Sequence, residues 1–183
     1  MPGLWKHRSS TTVFENPRVR VLEDVVVQPD GTEGSYTVVE ERAGAVLIVA
    51  VDEEQRVVLV RQHRYPIDVS LWEVPGGEVP VGVDPLVQAR QELREETGII
   101  AGQVEFLGSF APWPARLRRC SAVALATELD VSRLSNFGQG SDESIEEVRP
   151  YSRSELLEMI ASGDLLDANT LCSLALYWAA SRS

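Results

Sequence analysis

Apolar residues in this chain fall mostly in short blocks of strand-like period, separated by turn residues, with three longer blocks of helical period. Residues 18–27 and 35–41 predict two strands, and Pro29-Asp30-Gly31 between them supplies the turn of a hairpin. The uninterrupted apolar run 45–51 predicts a strand covered on both faces. Asp52-Glu53-Glu54-Gln55 turns the chain, 57–62 returns as the next strand, and 72–74 is a short strand running into the Gly76-Gly77 turn. A helix follows with marked ends: Asp84 as N-cap, Pro85 at the first helical position, and Gly98 as the left-handed residue after the last turn. Strands are expected near 103–110, 119–126 and 146–151, with a Gly-, Ser- and Asn-rich loop at 135–144. Helices near 153–161 and 168–181 close the chain, and Leu171, Leu174, Ala175 and Trp178 give the last one an apolar face. The order predicts an α+β fold, a helix–sheet–helix (α/β/α) sandwich around a mixed sheet, preceded by an N-terminal β-hairpin. Residues 1–42 form the N-terminal strands and 43–183 the main domain.

Composition narrows the class. A chain of 183 residues fits one domain with an N-terminal appendage, and 44% hydrophobic with 25% charged residues is ordinary for a globular protein. No apolar run approaches the roughly 18 residues of a membrane span, so no membrane partner is expected. Residues 1–8 lack the apolar core of a secretory signal, which makes the cytoplasm the expected location. Cys120 and Cys172 have no metal-ligand spacing and are expected to be buried, reduced thiols. A net charge of −11 argues against nucleic acid as a partner, and a phosphate substrate would need cations or local arginines to approach.

Candidate chemistry is concentrated in the helix after the glycine turn. Glu92, Glu95 and Glu96 stand at i, i+3 and i+4, spacings that bring side chains together on a helix. Like charges so placed destabilise a helix by about 0.2–0.5 kcal/mol per pair, which suggests a positive group between them. A hard divalent cation suits carboxylate oxygens, whereas a plain solvated acidic face is the alternative reading.

The run Gly77 to Ile99 resembles the box of the Nudix hydrolases, which reads Gly, five residues, Glu, seven residues, Arg-Glu-aliphatic-any-Glu-Glu-any-Gly-aliphatic. Gly77, Glu92, Leu93, Glu95, Glu96, Gly98 and Ile99 match, with Val83 at the first glutamate and Gln91 at the arginine. The resemblance implies a Nudix-type sandwich and Mg²⁺ or Mn²⁺ held by Glu92, Glu95, Glu96 and the Gly76 carbonyl, with Glu92 and Glu96 nearest the chemistry. The bracing glutamate and arginine are missing together, which implies weakened or altered catalysis.

The flanking residues extend the likeness from about residue 14 to the C-terminus. Arg61-Gln62-His63-Arg64-Tyr65-Pro66 and Leu71-Trp72-Glu73-Val74-Pro75-Gly76-Gly77 are similar to the stretch before the box in ADP-ribose and nucleoside-diphosphate-sugar pyrophosphatases. In that group the N-terminal hairpin is exchanged in a homodimer. This implies that Phe14 stacks on the partner's adenine (a core role being the alternative), that Arg61 and Arg64 contact phosphates (a surface salt bridge being the alternative for one of them), and that Glu73 bonds the base or ribose (or has a structural role). Ala115 to Arg119 replaces a Gly-rich, acid-bearing segment, so Arg119 becomes a basic candidate contact, against a plain basic surface turn. The group's catalytic base on a later loop corresponds to Glu143, with Glu146 in reserve, and His63 is read as structural. The expected activity is Mg²⁺-dependent hydrolysis of the diphosphate bond of a small nucleoside diphosphate derivative, ADP-ribose first and a nucleotide sugar next. The alternatives are a nucleotide-diphosphate binder that has lost catalysis and a nucleoside triphosphate pyrophosphohydrolase.

Overall fold

The computed structural model describes residues 4–132 and 145–181, so Glu143 and the whole of the expected 135–144 loop lie outside the described residues. Three antiparallel strands come first: β1 (Lys6–Glu15), β2 (Val19–Val27) and β3 (Glu33–Glu41). The β2–β3 hairpin forms where the sequence predicts it. Gly31 takes φ +91°, and the Asp30 carboxylate accepts from the Thr32 amide at 2.9 Å, an arrangement that closes the turn. β1 is the strand that the apolar pattern misses. Asn16 Oδ1 accepts from the amides of Arg18 and Val19, both at 2.8 Å, and turns the chain from β1 into β2. Every residue of β1 is exposed, so it shows no buried alternation to read, and backbone pairing with β2 holds it.

The main body contains β4 (Gly44–Ala50), β5 (Val57–Arg64), β6 (Val69–Glu73) and β7 (Gly76–Val79), then helix α1 (Pro85–Thr97). After it come β8 (Ile100–Phe110), β9 (Ser121–Asp130), β10 (Ile145–Tyr151), α2 (Arg153–Ser162) and α3 (Ala168–Ala180). One sheet has the order β7-β4-β9-β8, and its β4–β9 pair is parallel while the others are antiparallel. A second sheet has the order β10-β5-β6. The mixed sheet and the helices on both sides agree with the α+β sandwich expected.

Side-chain alternation divides the core into two layers, as strand geometry requires. Val46, Ile48 and Ala50 of β4 pack with Ala124 and Ala126 of β9 against Ala89 and Leu93 of α1. Their neighbours Val49, Val51 and Val123 face the other way, toward Leu156 of α2 and Leu174 of α3. The run 45–51 is thus covered on both faces, which is why it contains no polar residue. α1 is capped as predicted: Asp84 Oδ1 accepts from the Leu86 amide at 2.8 Å, Pro85 opens the helix, and Gly98 closes it at φ +75°.

The N-terminal sheet is tied to the body through the segment before β9. The Val39 amide donates to the Arg116 carbonyl at 2.8 Å, and the Arg118 amide donates back to the Val39 carbonyl at 2.8 Å. Arg118 Nη1 reaches Glu40 Oε1 at 2.5 Å and its Nη2 reaches buried Asp24 at 3.3 Å. The cysteines do not fit the expectation of burial: Cys120 is exposed and Cys172 half-buried, both as free thiols. Cys120 precedes β9 and lines a surface cavity, and the buried alternation begins one residue later at Ser121.

Candidate active site

Gly76 and Gly77, expected as a turn, instead open strand β7 after the short break at Val74-Pro75, and they and α1 build the site between them. β7 pairs with β4 in a register that sets Gly76 against Leu47 and Gly77 against Val46, so the two glycines lie directly on the central strand. A Cβ on Gly76 would fall 2.5 Å from the Val46 carbonyl oxygen, closer than atoms can pack, so only glycine lets the two backbones approach this closely. A Cβ on Gly77 would instead fall 2.4–2.6 Å from the carboxylate atoms of Glu92. The space beside Gly77 is thus filled by that carboxylate.

α1 presents Ala89, Leu93 and Glu96 inward, and Glu96 is 5% exposed. Its Oε2 accepts from the Gly76 amide at 2.9 Å, which fixes it to β7. Glu92, one turn earlier, accepts from Gln88 Nε2 at 2.6 Å and lies half-buried against Gly77. Glu95 is exposed and accepts from Gln91 Nε2 at 3.0 Å. The three carboxylates therefore do not share one environment. Adjacent helical residues point about 100° apart, so with Glu96 turned inward Glu95 faces solvent. Among the described residues no three His, Cys, Asp or Glu side chains form a metal cage. The donor set still fits a hard cation, because Glu92 and Glu96 offer oxygens one helical turn apart against two glycines bare of side chains.

The expected substrate residues fall into four groups. Arg64 and Glu73 meet each other: Nε donates to Oε1 at 2.8 Å and Nη2 to Oε2 at 2.5 Å, a two-point bond around a buried carboxylate. Arg61 lies 3.5 Å from Glu146, which also accepts from Ser70 Oγ at 2.5 Å, so the reserve base stands beside one predicted phosphate contact. Arg119 is paired with Glu41 and mostly buried, and burial holds its guanidinium below the ordinary arginine range. It lines a cavity of about 510 Å³ with Tyr36, Pro114, Arg116 and Cys120, and neither Glu92 nor Glu96 is among the lining residues. Phe14 is exposed on β1, which excludes the core role. His63 is exposed, with Nε2 3.2 Å from Asp68 Oδ1.

Two contributors were not singled out from sequence: Gln88, and Gly77 as the wall for Glu92. The first had a signal, since Gln88 stands four residues before Glu92, a spacing at which amide and carboxylate meet on a helix.

Residues 41–171 match the NUDIX domain, and residues 5–39 match the nucleoside diphosphate sugar hydrolase N-terminal domain. The chain is 30% identical to the ADP-ribose pyrophosphatase of Bacillus subtilis (strain 168) over 158 residues, covering 86% of this chain and 84% of the relative. It is also 30% identical to the methanol dehydrogenase activator of Bacillus methanolicus over 162 residues, covering 88% and 86%. A crystal structure of an ADP compounds hydrolase superposes with a TM-score of 0.81, covering 98% of this chain and 96% of that one, at 17% identity. That last likeness speaks to the fold.

Proposed function

We infer from one established fact, that this chain belongs to the Nudix hydrolase family, that it hydrolyses the diphosphate bond of a nucleoside diphosphate derivative. ADP-ribose is the leading substrate, giving AMP and ribose 5-phosphate, and a nucleotide sugar is next. The observation that carries the reading is the Glu92–Glu96 pair seated against Gly76 and Gly77 at the start of β7. Likeness to an ADP-ribose pyrophosphatase and the separate N-terminal match support the choice of substrate.

In this proposal Glu92 and Glu96 hold Mg²⁺ or Mn²⁺ with the Gly76 carbonyl, and exposed Glu95 is the third carboxylate assigned to it. A divalent cation bound there supplies Lewis acidity and a water far more acidic than bulk. The Gly76 amide keeps the Glu96 carboxylate oriented, and Gln88 does the same for Glu92. Arg61 meets the phosphates, with Arg64 and Glu73 behind it as a joined pair. Glu143 takes the proton from the attacking water, with Glu146 beside Arg61 as the alternative base.

Homodimer formation through the N-terminal sheet belongs to the same proposal. Support comes from β1, which is exposed along its whole length and presents Val13 and Phe14 to solvent. There Phe14 would stack on the partner's bound base; Arg119, paired with Glu41 in a cavity that neither Glu92 nor Glu96 lines, is given no substrate contact. Among the described residues no helix is long and apolar enough to cross a membrane. The cytoplasm is the proposed compartment, in keeping with two free thiols.

The second reading, a nucleotide-diphosphate binder without turnover, is favoured by Val83 and Gln91 in place of the charged brace. One assay separates the two. Purified chain is incubated with ADP-ribose, a nucleotide sugar and ATP, in Mg²⁺, in Mn²⁺ and in chelator, and AMP and phosphate are measured. Metal-dependent AMP release from ADP-ribose is expected; tight binding without product would favour the second reading.

A further inference from the structure

We propose that Gln88 is the positioning residue for Glu92, doing with a neutral amide what Gln91, turned to Glu95, does not. The inference rests on the functional reading above. Gln88 is only 8% exposed, although it sits on a helix with ample solvent on its other side. Burying a glutamine freezes one of the more flexible side chains and strips water from a polar group. Its side-chain amide meets Glu92 Oε1 at 2.6 Å, and the carboxylate fixes its orientation, because an ionised carboxylate only accepts.

Glu92 is confined from a second direction. The bare Cα of Gly77 lies where a Cβ would come within 2.4–2.6 Å of the Glu92 carboxylate. Between Gln88 and Gly77 the carboxylate is held beside the start of β7, one helical turn from Glu96. Gln91 does not share this task. It is exposed and donates to Glu95 at 3.0 Å, so the two glutamines serve two different glutamates along separate helical edges.

The neutrality of the brace has a chemical consequence. A guanidinium beside Glu92 would neutralise part of its charge and compete with a cation for the same oxygens. An amide orients the carboxylate and leaves its charge intact. Val83, standing where the charged brace would have its acid, then has no arginine at 91 to answer. The two departures in the box and Gln88 form one consistent arrangement.

Gln88→Met tests this, since methionine keeps the length and fills the space without a donor. Three quantities are compared with the wild-type chain. They are the Glu92 side-chain carboxyl ¹³C resonance in metal-free protein, assigned with Glu92→Gln, the Mn²⁺ affinity by calorimetry, and kcat and KM on the substrate found active. The expected result is a displaced Glu92 resonance, Mn²⁺ affinity and kcat each lower by about 10- to 100-fold, and KM within about threefold. A purely structural role for Gln88 would lower the melting temperature and leave the resonance and the metal affinity in place; that result overturns the proposal. Gln88→Lys restores a donor but adds the charge that the neutral amide avoids, so it should leave the Mn²⁺ affinity low; full recovery of affinity would refute the role given to neutrality. Should the wild-type chain bind no Mn²⁺ and hydrolyse nothing, the functional reading fails. The resonance then decides on Gln88 by itself: a shift in Gln88→Met upholds the positioning, and no shift refutes it.

Discussion

Adding one methyl group at each of the two adjacent glycines should separate the fold from the site. Neither Gly76 nor Gly77 is among the glycines with positive φ, so alanine can adopt the backbone at both. What differs is what the methyl meets. At Gly76 it would lie 2.5 Å from the Val46 carbonyl oxygen, 3.0 Å from Leu47 Cδ1 and 3.1 Å from Leu47 Cα, all belonging to the central strand. Backbone cannot swing aside, so β7 must move off β4. Overpacking of this kind costs about 1–3 kcal/mol. At about 2–4 °C per kcal/mol for a domain of this size, Gly76→Ala should lower Tm by about 2–12 °C. At Gly77 the methyl would meet Cδ, Oε1 and Oε2 of Glu92 at 2.4, 2.5 and 2.6 Å. These atoms end a flexible side chain, so Glu92 rotates away and the backbone stays.

Replacing glycine at a compatible position also restricts the unfolded chain, worth about 0.4–1 kcal/mol in favour of folding. Gly77→Ala should therefore melt within a few degrees of wild type. It should lose the Gln88 bond and the placement of Glu92, with AMP release down by at least about 10- to 100-fold. Calorimetric melting and AMP release on both variants constitute the assay. A Gly77→Ala protein with wild-type turnover would refute the argument, as would one destabilised as much as Gly76→Ala.

Four further outcomes follow from the same structure. Glu96→Gln keeps an oxygen for the Gly76 amide but loses the charge, so turnover should fall by at least about 100-fold while nucleotide affinity, read by equilibrium dialysis, changes little. Arg64→Ala leaves the Glu73 carboxylate, 8% exposed, without its two bonds, and should lower stability by about 1–3 kcal/mol in denaturant titration, with Glu73→Gln recovering part in a double-mutant cycle. The Arg20 hydrogen bond, aided by the charges of Arg20 and Arg118, holds the Glu40 carboxyl below its usual value of 4.5. A depressed folded-state value means stability present above pH 4.5 and lost as pH falls through that lower value, so acid unfolding should be shallower in Glu40→Gln than in wild type. Val83→Glu with Gln91→Arg should raise kcat if the missing brace limits catalysis; an unchanged rate would show that Gln88 already serves in its place.

Much of the body was legible because its signals are local. The covered strand at 45–51, the capped helix from Asp84 to Gly98 and the Pro29-Asp30-Gly31 turn each depend on residues adjacent in sequence, and the structure places them as expected. β1 was not legible, since a strand exposed along its length has no buried face to impose a period. The partition of Glu92, Glu95 and Glu96 also escaped spacing alone. Spacing gives their angles about the helix axis, but the orientation of α1 on β4, set by Ala89 and Leu93, decides which of them turns inward. Arg64 with Glu73 shows a similar gap: the two lie nine residues apart, and only the pairing of β5 with β6 brings them together.

Charge distribution then indicates which arginine is free to meet a phosphate. The chain has a net charge of −11, and several of its arginines are committed to acids far from α1. Arg20 and Arg118 hold Glu40, Arg119 holds Glu41, Arg42 holds Glu15 and Arg56 holds Asp52. The run at 116–119, which reads in sequence as a basic substrate contact, thus spends its charge clamping the N-terminal sheet to the body. The two arginines assigned to the phosphates differ in their partners. Arg64 is bound at two points to a buried carboxylate, so drawing it away would strand that charge, at a cost of about 1–3 kcal/mol or more. Arg61 meets Glu146 at 3.5 Å with the two side chains 45% and 40% exposed, a pair of the kind worth about 0–1 kcal/mol. On these terms a phosphate would displace Glu146 from Arg61 more readily than Glu73 from Arg64. Arg61→Ala should therefore raise KM with little effect on stability, whereas Arg64→Ala acts on the fold first. The exchange would also release Glu146 as the anion arrives, leaving a carboxylate beside the phosphate-bound arginine where a base is needed.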